Sequence, residues 1–273
     1  MNDNRTYALG ASDQELARLD GQAEYYRPAT LDAMHWAGIK PGMRVLDLGS
    51  GTGAVAFAAA ELVGSTGTVL GLDQQDVSVR TATDNAAALG LDNVSFVPGD
   101  LTTWTTDERF DAITGRLVTM YLADPAATIE RLTGLLRPGG IVLLQEFSIS
   151  GARQAPETPL FRRTLDAVLV AFEAIGASTD FGLDLDRVFV GAGLPSPTMI
   201  ISSRWERGST ARAYAMLAGI THTLLPVMIA QGIASEAEID IDTLEDRLRS
   251  AGGEVGAGCG ASLLISAWAH VAD

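Results

Sequence analysis

Short apolar runs alternate with amphipathic stretches along the first half of the chain. The apolar runs are rich in Val, Ile, Leu and Phe and are bounded by Gly, Pro or Asp, as expected of strands buried on both faces. They cover residues 44–48, 68–72, 94–97, 110–114 and 141–147. Helical patterns lie between them at residues 54–63, 77–89 and 126–136. This alternation predicts an α/β domain with a parallel sheet, whose functional crevice lies at the carboxyl ends of the strands.

Further helical patterns flank this alternating region. They are predicted at residues 13–38, 158–176, 213–231 and 242–250, and two more strands are predicted at 200–205 and 262–269. The glycine-rich run 252–260 is interpreted as a loop. Residues 213–234 carry no charge, which raises the question of a membrane span. Their polar residues and Pro226 argue against a span and favour a buried or lid helix.

Composition and charge narrow the classes of function. The chain has 273 residues, of which 47% are hydrophobic and 19% charged, a balance typical of a soluble globular protein. Its net charge of −15 would repel phosphate groups, so we expect no nucleic-acid partner. The single cysteine, Cys259, allows no internal disulfide and fits a reducing compartment. Residues 1–5 lack the apolar core of a signal peptide, so we interpret the chain as cytoplasmic.

A glycine-rich loop follows the first predicted strand. Gly49, Gly51 and Gly53 let the backbone turn sharply and approach a ligand closely, and the helix that follows offers free N–H groups to an anion. The glycines also satisfy a dinucleotide-binding pattern, with Asp73 24 residues after Gly49. Asp47, just ahead of the loop, would oppose a pyrophosphate and favour a cation. The loop therefore indicates a nucleotide or nucleoside site without identifying the ligand.

Five ordered segments resemble the motifs of the class I S-adenosylmethionine-dependent methyltransferases. Residues 45–53 are similar to the first motif of this family, and the others follow at 71–74, 99–101, 110–113 and 136–140. The resemblance covers most of the first 150 residues. It implies S-adenosylmethionine as cofactor and a doubly wound, mostly parallel, seven-stranded Rossmann-like sheet. We expect a helical cover (1–40), a cofactor-binding core (41–150) and a remainder (151–273) that completes the sheet and adds helical lid insertions. The apolar runs favour one domain overall.

The resemblance also implies roles for individual residues. Asp73 would hold both ribose hydroxyls, and Asp100 with the backbone of Leu101 would meet the adenine. Asp47 suits the ammonium group of the cofactor, and the glycine loop suits its carboxylate. The full cofactor-binding set expected is Tyr26, Asp47, Gly49, Ser50, Gly51, Gly53, Asp73, Gln74, Asp100, Leu101, Gly115 and Arg116.

After the fourth predicted strand the chain departs from family members that methylate amide or nucleobase nitrogens. Those enzymes carry an Asn/Asp-Pro-Pro-Tyr-like tetrapeptide, whereas this chain has Gly115-Arg116-Leu117-Val118. The segment resembles the small-molecule branch, which includes quinone-biosynthesis and bacterial natural-product enzymes. We therefore expect methylation of a small, largely apolar metabolite in secondary metabolism, with oxygen as the preferred acceptor and carbon or nitrogen as alternatives. A cofactor-binding cyclase or binding protein and an NAD-dependent oxidoreductase stay open as alternatives.

Two residues are candidate general bases, which a hydroxyl or an acidic carbon acceptor would need. His222 lies in the uncharged helix, and Glu146 follows the apolar run of the fifth strand. Each residue also has a purely structural interpretation. His222 could be satisfied within the helix packing, and Glu146 could be a solvated residue at the end of a strand. No clustered ligand set indicates a metal. The apolar stripes of 158–176 and 213–231 imply either an apolar substrate pocket or a homodimer contact, and the sequence does not separate the two.

Overall fold

The structure is a computed structural model that describes residues 13–272, with side chains from residue 21 onward. The interpretation of residues 1–5 lies outside the described residues. The chain forms two compact units whose segments alternate along the sequence. The first unit holds the described residues up to Tyr25, Phe147–Phe181 and Ser202–Leu264; the second holds Tyr26–Glu146, Gly182–Ile201 and the described residues from Ile265. The division of the chain at residues 40 and 150 stays a prediction.

The described chain contains both strands and helices along its whole length. The strands are β1 (Arg44–Leu48), β2 (Thr68–Asp73), β3 (Val94–Pro98), β4 (Phe110–Arg116), β5 (Leu136–Ser148), β6 (Arg153–Ala155), β7 (Thr198–Ser202), β8 (Glu206–Arg207), β9 (Gly258–Gly260) and β10 (Leu263–His270). The helices are α1 (Asp13–Ala37), α2 (Ala54–Val63), α3 (Asp76–Ala88), α4 (Pro125–Thr133), α5 (Pro159–Ala174), α6 (Leu185–Gly191), α7 (Arg212–Ala230), α8 (Glu236–Ile239) and α9 (Ile241–Glu254).

The second unit is built on a seven-stranded, mostly parallel sheet with the strand order β3-β2-β1-β4-β5-β10-β7. Strand β1 pairs in parallel with β2 and β4, and the pairs β2–β3 and β4–β5 are parallel as well. The carboxyl ends of β1 to β5 therefore lie along one edge of the sheet. The strand order reverses beside β1, and a crevice at such a switch point is where α/β sheets bind ligands. The predicted Rossmann-like fold is confirmed.

The apolar positions that predicted these elements form the core of the second unit. Val45 on β1, Val69 on β2 and Ile141 on β5 are buried together with the alanine-rich face of α2. This burial explains why the bounds predicted for β1 and α2 match the structure. The predicted strand at 200–205 is shifted, since β7 ends at Ser202.

The first unit contains a small antiparallel sheet with the order β6-β9-β8. The prediction that residues 252–260 form a loop is therefore wrong, because α9 runs to Glu254 and Gly258–Gly260 is a strand. A Cβ atom on Gly258 would lie 2.1 Å from Nε1 of Trp205, so only glycine permits this contact. Glycine is unfavourable in strands, and the sequence pattern therefore concealed β9.

Helix α7 belongs to the first unit and is the one helix among those described that is long and apolar enough to cross a membrane, with a mean hydropathy of 1.5. Its buried residues recur every three or four positions, which is the pattern of a helix packed on one face. They are Ala213, Tyr214, Leu217, Ala218, Thr221, Leu224 and Met228. Helix α7 packs against α5 and α9. This packing favours the interpretation as a helix of the protein interior over a membrane span.

Candidate cofactor site

The glycine loop between β1 and α2 has a backbone that side chains would disturb. Gly49, Gly51 and Gly53 have φ values of 59°, 52° and 99°, in the left-handed region that favours glycine. A Cβ atom on Gly53 would lie 2.4 Å from the ring of Phe57. In the described part of the chain no side chain caps the N-terminus of α2, and its first turn has no acidic residue. The N–H groups of Ala54 and Val55, at the start of that turn, are therefore available to an anion.

Asp73, the last residue of β2, is held in place by the backbone on both sides. Its Oδ2 accepts a hydrogen bond from the N–H of Gly51 at 2.9 Å, and its Oδ1 accepts one from the N–H of Gln75 at 2.9 Å. A carboxylate has about four acceptor positions, so about two remain free for a ligand. The side chain is half-buried, and the neighbouring Gln74 is exposed. An oriented carboxylate with spare acceptor capacity suits the two hydroxyls of a ribose.

Asp100 and Leu101 follow β3 at the same edge of the sheet. Asp100 Oδ1 accepts hydrogen bonds from the N–H and the hydroxyl of Thr102, at 2.8 and 2.7 Å, and these bonds lower the pKa of Asp100. Asp100 is exposed and Leu101 is buried. Arg131 of α4 donates to the carbonyl oxygens of Leu101 and Trp104, the latter at 2.7 Å. Sequence reasoning missed Arg131, because nothing in its helical pattern indicates that it holds a loop.

Two buried polar atoms beside the glycine loop have no hydrogen-bond partner among the described residues. They are Oδ2 of Asp47, which is 1% exposed, and Oγ of Ser50, which is 7% exposed. The other oxygen of Asp47 accepts a hydrogen bond from the hydroxyl of Thr114 at 3.1 Å. Burial raises the pKa of Asp47 to about 7, although Thr114 and the nearby Arg116 favour the charged form. Buried polar atoms are nearly always hydrogen-bonded, so these two fit a site completed by a polar ligand with an ammonium group.

Arg116 ends β4 and connects this strand to α1. Its Nη1 donates to Oγ1 of Thr30 at 3.0 Å, and Thr30 is buried one turn after the buried Tyr26. Burial lowers the pKa of Arg116 to about 10, and the opposing charge of Asp47 raises it, so the side chain stays charged at neutral pH. These contacts are not those of a surface ion pair. The second unit thus brings Tyr26, Asp47 and Arg116 together.

The two candidate general bases lie in different units. Glu146 of the second unit is fully buried, and its Oε1 accepts hydrogen bonds from the N–H groups of Val118 and Thr119. It is therefore not the solvated strand end considered as its alternative. His222 is an exposed residue of α7 in the first unit, not one satisfied inside the helix packing. Their catalytic roles stay predictions. The described residues contain no group of three or more His, Cys, Asp or Glu that could hold a metal ion.

Comparisons with known proteins find relatives that are methyltransferases. Residues 39–169 match a family described as a methyltransferase domain. Over 118 residues the chain is 37% identical to a nocamycin O-methyltransferase of Saccharothrix syringae, which covers 43% of this chain and 42% of that protein. Over 138 residues it is 32% identical to the ubiquinone/menaquinone biosynthesis C-methyltransferase UbiE of Pseudomonas putida, covering 50% of this chain and 52% of that protein. The chain thus spans about half the length of the curated relatives it matches.

The fold is shared with solved structures. A SAM-dependent methyltransferase from Aquifex aeolicus matches 95% of this chain and 99% of its own, with a TM-score of 0.55 and 14% identity. The family match and the relatives indicate a methyltransferase, and the unpartnered polar atoms beside the glycine loop fit the cofactor of such an enzyme. Residues 39–169 therefore match a methyltransferase domain, for which S-adenosylmethionine is the cofactor.

Proposed function

We propose that the protein transfers the methyl group of S-adenosylmethionine to a small, largely apolar metabolite, at an oxygen atom. The observation that carries this proposal is the unpartnered, buried Oδ2 of Asp47 beside a glycine loop whose following helix has no side-chain cap at its N-terminus. Together they offer an acceptor for an ammonium group and donors for a carboxylate, the two charged groups at the methionine end of the cofactor.

Different residues of the second unit would bind different parts of the cofactor. Asp73 would hold the ribose, Asp100 and the backbone of Leu101 the adenine, and Asp47 the ammonium group. When bound, S-adenosylmethionine would supply a methyl group that bonds to the acceptor oxygen as its carbon–sulfur bond breaks, with S-adenosylhomocysteine as the leaving group. Such a displacement depends mainly on alignment and on exclusion of water, so few catalytic side chains are needed. A general base would add about 100- to 10,000-fold for a hydroxyl acceptor.

The choice of acceptor rests on the segment after β4 and on the relatives. Gly115-Arg116-Leu117-Val118 stands where nitrogen-methylating family members have a different tetrapeptide. A nocamycin O-methyltransferase at 37% identity favours an oxygen acceptor, and a quinone-biosynthesis C-methyltransferase at 32% identity makes carbon the second candidate. Both names refer to small molecules. The net charge of −15 supports a protein without a nucleic-acid partner, and we further propose a cytoplasmic location.

Titration calorimetry and a turnover assay test the proposal in two steps. We expect S-adenosylmethionine and S-adenosylhomocysteine to bind and NAD not to bind. Incubation with methyl-labelled S-adenosylmethionine and a panel of phenols, hydroxyquinones and aliphatic alcohols should then give S-adenosylhomocysteine and a labelled ether in equal amounts. Binding of NAD without binding of S-adenosylmethionine would favour the oxidoreductase. Cofactor binding with no S-adenosylhomocysteine formed, while an acceptor is converted, would favour a cyclase.

A further inference from the structure

The turn that follows β4 has a backbone conformation that its sequence disfavours. Leu117 has a φ of 57°, in the left-handed region that non-glycine residues rarely adopt. Its N–H donates to the carbonyl oxygen of Gln145 on β5 at 2.9 Å. Gln145 is buried, and its Nε2 donates to Oγ of Ser266 on β10 at 2.7 Å. A strained residue of this kind persists only where surrounding groups hold it, and such residues concentrate at functional sites.

The next residue of the turn, Val118, packs directly on the cofactor loop. A Cβ atom on Gly49 would lie 2.4 Å from Cγ2 of Val118, and one on Gly115 would lie 3.0 Å from Cγ1 of Val118. Val118 therefore occupies the space above two glycines, one in the glycine loop and one near the end of β4. Any shift of the turn would move Val118 and remove the support of the loop at Gly49.

Glu146 of β5 is the side chain that holds this turn. Its Oε1 accepts three hydrogen bonds, from the N–H of Val118 at 3.0 Å, the N–H of Thr119 at 2.7 Å and the hydroxyl of Thr119 at 2.5 Å. Both Glu146 and Thr119 are fully buried, and Oε2 of Glu146 has no partner among the described residues. Three donors converging on one oxygen match an acceptor-only carboxylate. All three donors act on Oε1, so this oxygen is committed to holding the turn.

We infer that Glu146 is a positioning residue and not the general base: its carboxylate holds the left-handed turn at 117–119, which seats Val118 against Gly49 and fixes the cofactor loop. This inference rests on the proposed function, because it concerns the same cofactor site.

The test compares the affinity for S-adenosylhomocysteine, measured by calorimetry, across a series of variants. Glu146→Ala removes the acceptor of three hydrogen bonds, and each bond to a charged group contributes enough that we expect a loss of tenfold or more. Glu146→Gln keeps an amide oxygen for the same donors, so its affinity should stay within about threefold of the wild type. Leu117→Gly in the Glu146→Ala background should recover part of the loss, since glycine adopts this φ without strain. Glu108→Ala, an exposed residue before β4, is the matched control.

The outcomes separate the inference from the proposed function. A wild-type protein that binds neither S-adenosylhomocysteine nor S-adenosylmethionine overturns both. If the wild type binds the cofactor and Glu146→Ala binds it with unchanged affinity, the inference alone is overturned. The inference is also overturned if Glu146→Gln binds normally but loses turnover more than 100-fold, which is the result expected of a general base. If Glu146→Ala does not fold, Thr119→Val removes one donor at nearly constant volume. It should weaken binding about threefold or more, and unchanged affinity there would refute the inference.

Discussion

Replacing Asp47 by asparagine should stabilise the unliganded protein while weakening cofactor binding. Asp47 is 1% exposed, one of its oxygens has no described partner, and burial raises its pKa from 3.8 to about 7. The folded protein therefore keeps a proton that the unfolded chain releases between pH 4 and 7. The stabilisation that protonated Asp47 contributes is complete below about pH 4 and is lost as the pH rises through 7. At 1.36 kcal/mol per pKa unit, the loss is of the order of 4 kcal/mol.

Asparagine cannot ionise, so the variant avoids this loss but still offers an oxygen to the hydroxyl of Thr114. We expect the free energy of unfolding of Asp47→Asn to exceed that of the wild type by about 1–4 kcal/mol at pH 8, and by less at pH 5. Its affinity for S-adenosylmethionine should fall by about 1.5–3 kcal/mol, the range for a hydrogen bond to a charged group. Urea unfolding at pH 5, 6.5 and 8 and calorimetric titration measure the two effects.

Asp111 on β4 is the matched control, because its pKa moves in the opposite direction. Burial raises the pKa of Asp111, but hydrogen bonds from Arg137 and from the backbone of Arg44 outweigh burial and leave the pKa below its ordinary value. A lowered pKa contributes stability above the unfolded value, so Asp111→Asn should lose stability at pH 8. If Asp47→Asn is less stable than the wild type at pH 8, or binds S-adenosylmethionine equally well, the assignment of Asp47 is refuted.

Four further variants test single positions. Gly53→Ala should cost about 2–4 kcal/mol of unfolding free energy, because its φ of 99° and the ring of Phe57 at 2.4 Å both oppose a Cβ atom. Gly51→Ala should cost only about 1 kcal/mol of unfolding free energy, because its φ of 52° opposes a Cβ atom but no atom lies within 4 Å of it. Equal melting temperatures for Gly53→Ala and Gly51→Ala would contradict this reasoning. Asp73→Ala should weaken S-adenosylmethionine binding by about 2–4 kcal/mol in calorimetry, and an unchanged affinity would exclude it as the ribose ligand. His222→Ala should change the unfolding free energy by no more than about 0.5 kcal/mol, since the residue is exposed. If His222 is the general base, the variant should lower turnover about 100-fold or more, and normal turnover would exclude His222 from catalysis.

Local patterns were sufficient for the core of the second unit. The bounds of β1 and α2 followed from an apolar run, three glycines and an alanine-rich stretch, because burial and backbone conformation there depend on neighbours in sequence. The same reasoning placed Asp47 and Asp73 at the carboxyl ends of adjacent strands. The motifs appear in chain order because each strand of a parallel sheet ends at the same edge.

What the patterns concealed depends on residues far apart in the chain. The contact of Asp47 with Thr114 spans 67 residues, and the contact of Arg116 with Thr30 spans 86. Glu146 appeared to be a candidate base at a strand end, yet the turn it holds lies 27 residues earlier, at Thr119.

The sequence by itself determined the alternation of strands and helices in the first half of the chain and the glycine loop, since periodic burial and backbone preferences are local properties. The cofactor followed from the resemblance of the motifs to a known family. Only the tertiary structure decided the strand β9, the left-handed Leu117, the loop contact of Arg131 and the unpartnered oxygen of Asp47. Each of these arises where packing between distant segments overrides or leaves unsatisfied what the local sequence prefers.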